Sequence, residues 1–207
     1  VRTRASTPKS IEILMNMDAP AQAEVLQSLK TWKALLASLD IESGPTSEKD
    51  FSKKALAHFR LNLQDSNWAS ISDGEIIEIY NSTGVQLYRS MNFFEICGYS
   101  LLDLCVNKWF ELWERPTSTL QKMNETVHGV LTGAKKDFRA FVAPHVVREN
   151  YDDGTTQPFT PRTTLVSFQN IFPLFSPDLP GLVAGFLVTS KGEPISTGEA
   201  AIELGFI

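Results

Sequence analysis

Three histidines, two cysteines and one pair of adjacent aspartates are the side chains of this 207-residue chain with the most chemistry to offer. A metal ion needs several ligands at short helical or turn spacing, and His58 and His145 each lack a partner at such spacing. Cys97 and Cys105 lie close together in a segment that reads as helical, and no other cysteine accompanies them. They support neither a disulfide framework nor a zinc site, and they read as small buried hydrophobes in a reducing, intracellular compartment. Asp152 and Asp153 fall in Asn150-Tyr-Asp-Asp-Gly154, where turn chemistry accounts for them. Gly-x-Ser-x-Gly, Gly-x-x-x-x-Gly-Lys-Ser/Thr, His-Glu-x-x-His and Gly-x-Gly-x-x-Gly are all missing. No catalytic residue is therefore expected, and the chain does not read as an enzyme.

The elements that would carry a binding site are more legible. With 43% hydrophobic and 10% aromatic residues, the chain can bury one good core and carry a helical appendage. A net charge of -5 gives no positive field to attract a phosphate backbone, so direct nucleic-acid contact by this segment is not expected. No apolar run reaches the roughly 18 residues of a membrane span, and no signal peptide opens the chain. The start at Val1 suggests a fragment whose missing part holds an output activity.

Residues 1–17 read as a flexible lead and 18–66 as a helical extension. Val25, Leu29, Trp32, Leu36 and Leu39 make one apolar seam, which fits packing on the same domain or on a second copy. Ser47 and Asp50 cap a second helix, with Phe51, Ala55, Phe59 and Leu63 at helical spacing up to about Gln64. Residues 67–190 then form the main domain, and 191–207 a tail. Glu75 to Tyr80 and Val85 to Ser90 read as a hairpin about the turn Asn81-Ser-Thr-Gly84, followed by a helical turn over Asn92 to Cys97. Short helices follow over Leu101 to Trp113 and, past Pro116, over Thr117 to Leu131. Strands are predicted over Asp137 to Glu149, Thr163 to Leu174 and Leu182 to Thr189. Two strands, several short helices and three strands make an α+β domain with an antiparallel sheet.

That order, with Gly98-Tyr99-Ser100 after the short helix, resembles a PAS domain over about Trp68 to Thr189. The resemblance implies a five-stranded antiparallel sheet with helices on one face, here preceded by the N-terminal helical extension, wrapped around a small cavity. Ser167-Phe-Gln-Asn-Ile-Phe-Pro-Leu-Phe175 and Leu179-Pro-Gly-Leu-Val-Ala-Gly-Phe-Leu-Val188 are similar to the closing strands of the PAS module in fungal zinc-cluster regulators of gluconeogenesis. In those proteins the module lies downstream of a DNA-binding head. This chain has no Cys-rich cluster of its own, so the likeness places such a head outside it.

The resemblance also sets what a cofactor would need. Flavin photoreceptors of this kind carry a reactive cysteine about eleven residues after the glycine of Gly-Tyr. Counting from Gly98 reaches Trp109, and Cys105 falls short of that place. Flavin adduct chemistry is therefore not expected, while noncovalent flavin stays open. Some relatives ligate haem through a histidine on the helix corresponding to Thr117–Leu131, which makes His128, with Val127, Val130 and Leu131 around it, the haem candidate. Capping of the helix's last carbonyls competes for that role.

A pocket in such a fold would be lined by Tyr88, Phe94, Trp109, Phe141, Phe168 and Phe186, unless these aromatics fill the space themselves. The implied function is a non-catalytic regulatory or sensor module. It would mediate dimerisation or partner contact through the N-terminal helix or the sheet face, and sense a small apolar ligand for a transcription regulator in the nucleus. The alternatives are a haem- or flavin-bearing sensor of a signalling enzyme in the cytoplasm, and a purely structural interaction domain with a filled core.

Overall fold

In the computed structural model, which describes residues 8–38, 47–107, 112–135, 137–140, 142–150, 162–179 and 181–195, the strand patterns join into an antiparallel sheet. Four helices come first: α1 (Pro8–Asn16), α2 (Ala19–Ser38), α3 (Glu48–His58) and α4 (Asp65–Trp68). The hairpin strands β1 (Ile76–Asn81) and β2 (Gln86–Arg89) follow, then α5 (Phe93–Ile96), α6 (Leu101–Val106), the short β3 (Trp113–Glu114) and α7 (Thr117–Leu131). The closing strands are β4 (His145–Glu149), β5 (Thr163–Phe175) and β6 (Val183–Pro194). Strand order across the sheet is β2-β1-β6-β5-β4-β3, so the last strand pairs with the first.

Local chemistry sets the joints. Asn81 Oδ1 accepts from the amides of Thr83 (3.0 Å) and Val85 (2.8 Å), and Gly84 takes φ +82°, which closes the first hairpin. Ser47 caps α3 by accepting from the Asp50 amide at 3.2 Å. Ser100 and Asp103 form a reciprocal capping box at the start of α6.

Four expectations about the elements change. The sheet has six strands among the described residues, because Trp113–Glu114 adds a short edge strand on β4 in place of the expected helix end. β4 starts at His145 and not at Asp137, since Pro144 cannot donate to a ladder, and Arg139 makes only an isolated bridge with Asn170. The lead is helical from Pro8, and the buried Ser10 donates its hydroxyl to Asp103 on α6. The second helix also ends early, at His58, where Arg60 turns the chain with φ +54°.

Helices cover both faces of the sheet. Ile77 and Ile79 of β1, Tyr88 of β2, Phe172 and Leu174 of β5 and Leu187 of β6 pack beneath Trp32 and Leu35 of α2 and Phe51, Ala55 and Leu56 of α3. The Trp32 and Tyr88 rings stack at 5.7 Å between centroids. The N-terminal extension is thus part of the core, and the expected restriction of helices to one face does not hold.

The opposite face is set by the alternate residues of the same strands. On β5 these are Thr164, Val166 and Phe168, after which the pairing with β6 slips between Phe168 and Asn170. The extra residue moves Ile171 onto the face that Asn170 would have taken, and Phe172 and Leu174 onto the helix-covered face. Gly185 allows β6 to lie close to β1, since a Cβ there would fall 2.2 Å from the Tyr80 carbonyl oxygen.

Candidate functional site

The sheet face away from α2 and α3 encloses a cavity of about 190 Å³. Its floor is Ile76, Glu78 and Tyr80 of β1 with Phe186, Val188 and Ser190 of β6. Thr164, Val166, Phe168 and Ile171 of β5 and Val147 and Glu149 of β4 continue it, while Met123, Asn124 and Val127 of α7 close one side. Phe93, Ile96, Cys97 and Trp113 form the other side. The period-two pattern of each strand delivers these residues, and the bulge at Gln169, which shifts the pairing with β6, brings Ile171 to the same face as Phe168.

Most of this wall is apolar, and its charged side chains are Glu78, Arg89, Arg115 and Glu149. Arg89, opposite Glu78 in the hairpin register, donates from Nη2 to Glu78 Oε2 at 2.7 Å. The side chains are 4% and 12% exposed, which makes this a buried ion pair. Tyr80 donates its hydroxyl to the same carboxylate oxygen and accepts from Arg89 at 3.3 Å. The Gln86 amide oxygen, in the orientation its neighbours require, accepts from Arg89 Nε at 2.9 Å and Nη2 at 2.8 Å. The guanidinium also lies over the Phe93 ring at 4.0 Å.

Burial opposes the Arg89 charge, but attraction to Glu78 and Tyr80 outweighs it and holds the pKa above its usual value. Burial beside the Glu78 carboxylate pushes the Tyr80 phenol well above its ordinary value. Arg115, next on the wall, differs: burial and the neighbouring Arg89 charge lower its pKa, despite the pull of Glu78 and Tyr80. Its Nη1 lies 3.3 Å from Met123 Sδ.

Glu149 is held by backbone. It accepts from the Gly98 amide through Oε1 and from the Arg162 amide through Oε2 at 3.2 Å. A Cβ on residue 98 would approach Glu149 Oε2 to 2.7 Å, so glycine leaves the space the carboxylate occupies. Tyr99 donates to the Leu112 carbonyl at 2.5 Å and accepts from the Asn150 amide at 3.1 Å. Gly98-Tyr99-Ser100 therefore acts as a joint that ties the helical middle to β4.

A scan against protein-family models and a search of curated proteins return no match.

Of the residues expected around a pocket, Phe168 and Phe186 line the cavity. Phe94 is buried beside it, in the cluster that holds Phe93 and Trp113. Tyr88 faces the other way, under Trp32, because it alternates with Arg89 on β2. His128 sits on the exposed face of α7, one residue from the lining Val127, and its carbonyl accepts from Thr132 at 3.0 Å. Trp109 and Phe141 lie outside the described residues. Cys105 packs near the cluster of Val25, Leu102 and Val106, away from the cavity lining, and burial pushes its thiol up to about 11. Among the described residues no group of three metal-ligating side chains comes together, and no helix is long and apolar enough to cross a membrane.

Glu78, Tyr80, Arg89 and Arg115 had no place in the sequence reading. Glu78 and Arg89 had a visible signal: a hairpin closed over Asn81–Gly84 sets these opposite charges across from one another. Arg115 had none, since it follows a two-residue strand that no pattern announces.

Proposed function

We propose that this chain is a non-catalytic regulatory module of PAS type that holds a small ligand in the cavity and reports its presence through the N-terminal helices. The observation that carries this reading is a mostly apolar cavity with a convergent polar cluster, on the sheet face opposite the packed helices α2 and α3. Two hairpin strands, a helical middle and three long closing strands around a cavity support the family likeness. In the protein as a whole, the module would serve a transcription regulator in the nucleus, with the DNA-binding part elsewhere in the longer chain.

The cavity is somewhat larger than the roughly 150 Å³ space that holds a benzene molecule in an engineered protein core. That size favours a compact ligand over haem or flavin, which are several times larger than benzene. The exposed position of His128 argues in the same direction.

The mechanism is a population shift. Adjacent residues of β2 face opposite sides: Arg89 lines the cavity, and Tyr88 stacks on Trp32 of α2. An occupant that repositions Arg89 alters β2 and with it the seat of α2. A cavity-filling substitution can stand in for the occupant. Ile171→Phe is expected to change hydrogen-exchange protection across α2 at least tenfold while the fold is retained. Unchanged protection of α2 in a folded variant with a filled cavity refutes the coupling.

A further inference from the structure

We propose that a second cavity, between the start of α3 and the loop before β1, receives the guanidinium of an arginine side chain presented by a partner protein. This space has a volume of about 230 Å³, and its lining residue Ile77 packs beneath α2 and α3, which puts it on the helix-covered side of the sheet. Its occupant does not depend on the ligand proposed for the opposite face.

Three carboxylates, Glu48, Asp73 and Glu75, line this space against one ammonium, Lys49. Lys49 donates its Nζ to the Ile71 carbonyl at 2.9 Å. Glu48 accepts from the Met91 amide at 3.0 Å and from the Asn92 amide at 3.1 Å, one on each carboxylate oxygen. Glu75 differs, because it is only 3% exposed and its Oε2 has no hydrogen-bond partner. The backbone around it is nevertheless fixed. The Glu75 carbonyl accepts from Asn92 Nδ2 at 3.1 Å, its amide donates to the Ser72 carbonyl at 3.4 Å, and Gly74 turns the chain with φ +82°. The turn thus delivers a buried carboxylate to the cavity without a donor to meet it. Such a group is costly unless it is paired, and a cation from outside removes the cost.

The arrangement also selects the kind of cation. Among the described residues no three metal-ligating side chains gather at one point, so the acids are spread around the space. A planar guanidinium sends five N–H donors in several directions and pairs with carboxylates edge to edge. It is also more weakly hydrated than an ammonium, which suits a buried acceptor. Ile77 supplies an apolar contact for the alkyl stem of an arginine. Ser72, Asp73 and Gly74 are exposed, which leaves an approach from solvent for a side chain carried by another protein.

NMR titration of the purified chain with acetyl-Gly-Arg-Gly-amide and with its neutral citrulline counterpart tests this directly. The arginine peptide is expected to shift the Gly74 and Glu75 amides and to bind at least tenfold more tightly than the citrulline peptide. Glu75→Gln is expected to weaken the arginine peptide at least tenfold; the comparison of the two peptides on the unaltered chain stands alone and decides the matter even if that variant fails to fold. Equal binding of the two peptides, or no shift at Gly74 and Glu75 with either, overturns the assignment and leaves the ligand reading of the other cavity standing. Free ethylguanidinium binding at least tenfold more tightly than the arginine peptide overturns the partner protein as its source.

Discussion

Arg89→Met removes the guanidinium of the cavity's buried ion pair while keeping an unbranched apolar stem. The change deletes the 2.7 Å bond to Glu78, the 3.3 Å bond to the Tyr80 hydroxyl and the contact over Phe93 at 4.0 Å. Glu78, with its side chain 12% exposed, is left with a charge, the Tyr80 hydroxyl and little water. With charge centres about 4 Å apart and an effective dielectric near 20, the lost Coulomb attraction is about 4 kcal/mol. Removal of one partner from buried pairs costs about 3–5 kcal/mol when measured, which already includes the stranded charge. The two figures describe the same loss and are not added.

Since domains of this size are stable by only about 5–15 kcal/mol, Arg89→Met should shift a urea transition followed by tryptophan fluorescence by a large part of its range. Glu78→Gln in the same background removes the stranded charge, so the double variant should recover at least about 1–2 kcal/mol relative to Arg89→Met alone. A loss under about 1 kcal/mol for the single variant would place the pair among weak surface bridges. Such a loss, or strict additivity in the double variant, refutes the buried-pair account.

Trp32→Ala, at a buried position stacked on Tyr88, should cost about 3–5 kcal/mol in the same urea assay and loosen hydrogen exchange in β2. Gly185→Ala should cost about 3 kcal/mol, because the new Cβ would fall 2.2 Å from the Tyr80 carbonyl and force β6 from β1, and amide exchange along β1 should rise with it. Burial lowers the pKa of His145 below the usual 6.5, so between that value and the folded one the unfolded chain binds the extra proton and stability falls as pH falls. Glu48, raised by burial, acts in the opposite sense from 4.5 upward, since its folded carboxyl keeps a proton that the unfolded chain releases. His145→Gln should therefore shrink the stability lost between about pH 7.5 and 5.5 without touching the Glu48 contribution, as read from urea midpoints at the two values.

Element order and many boundaries were legible because each rests on local chemistry. α7 runs from Thr117 to Leu131 as the spacing of Leu120, Met123, Val127 and Val130 predicts, and Asn81 and Gly84 close the hairpin where turn chemistry places them. The site was less legible because membership depends on parity across strands. Tyr88 and Arg89 are neighbours in sequence, and only the register with β1 decides that the arginine meets the cavity and the tyrosine meets α2. The bulge at Gln169 reverses parity again within β5, so Phe168 and Ile171 share a face while strict alternation would separate them. Ser10 shows the same limit for the lead. Ile13, Leu14 and Met17 of this amphipathic segment pack on Val25, Leu102 and Val106, and the Ser10 hydroxyl reaches Asp103, partners that no reading of the lead by itself could supply.

Placement of the N-terminal helices also bears on what the module can do. A sheet face left bare would be available to any partner, and its strands would be free to respond to the cavity without consequence for the rest of the chain. Here Trp32, Leu35, Phe51 and Leu56 occupy that face, and the strands they touch are the ones that form the cavity floor. Ile77 and Ile79 press on the helices while Ile76, Glu78 and Tyr80 face the cavity from the same strand. A close-packed interior cannot absorb a displacement on one side of a strand without passing it to the other. The cavity and the helical extension therefore share one sheet, and under the proposed function a signal would need only a small difference in how the occupied and empty cavities seat β1 and β2.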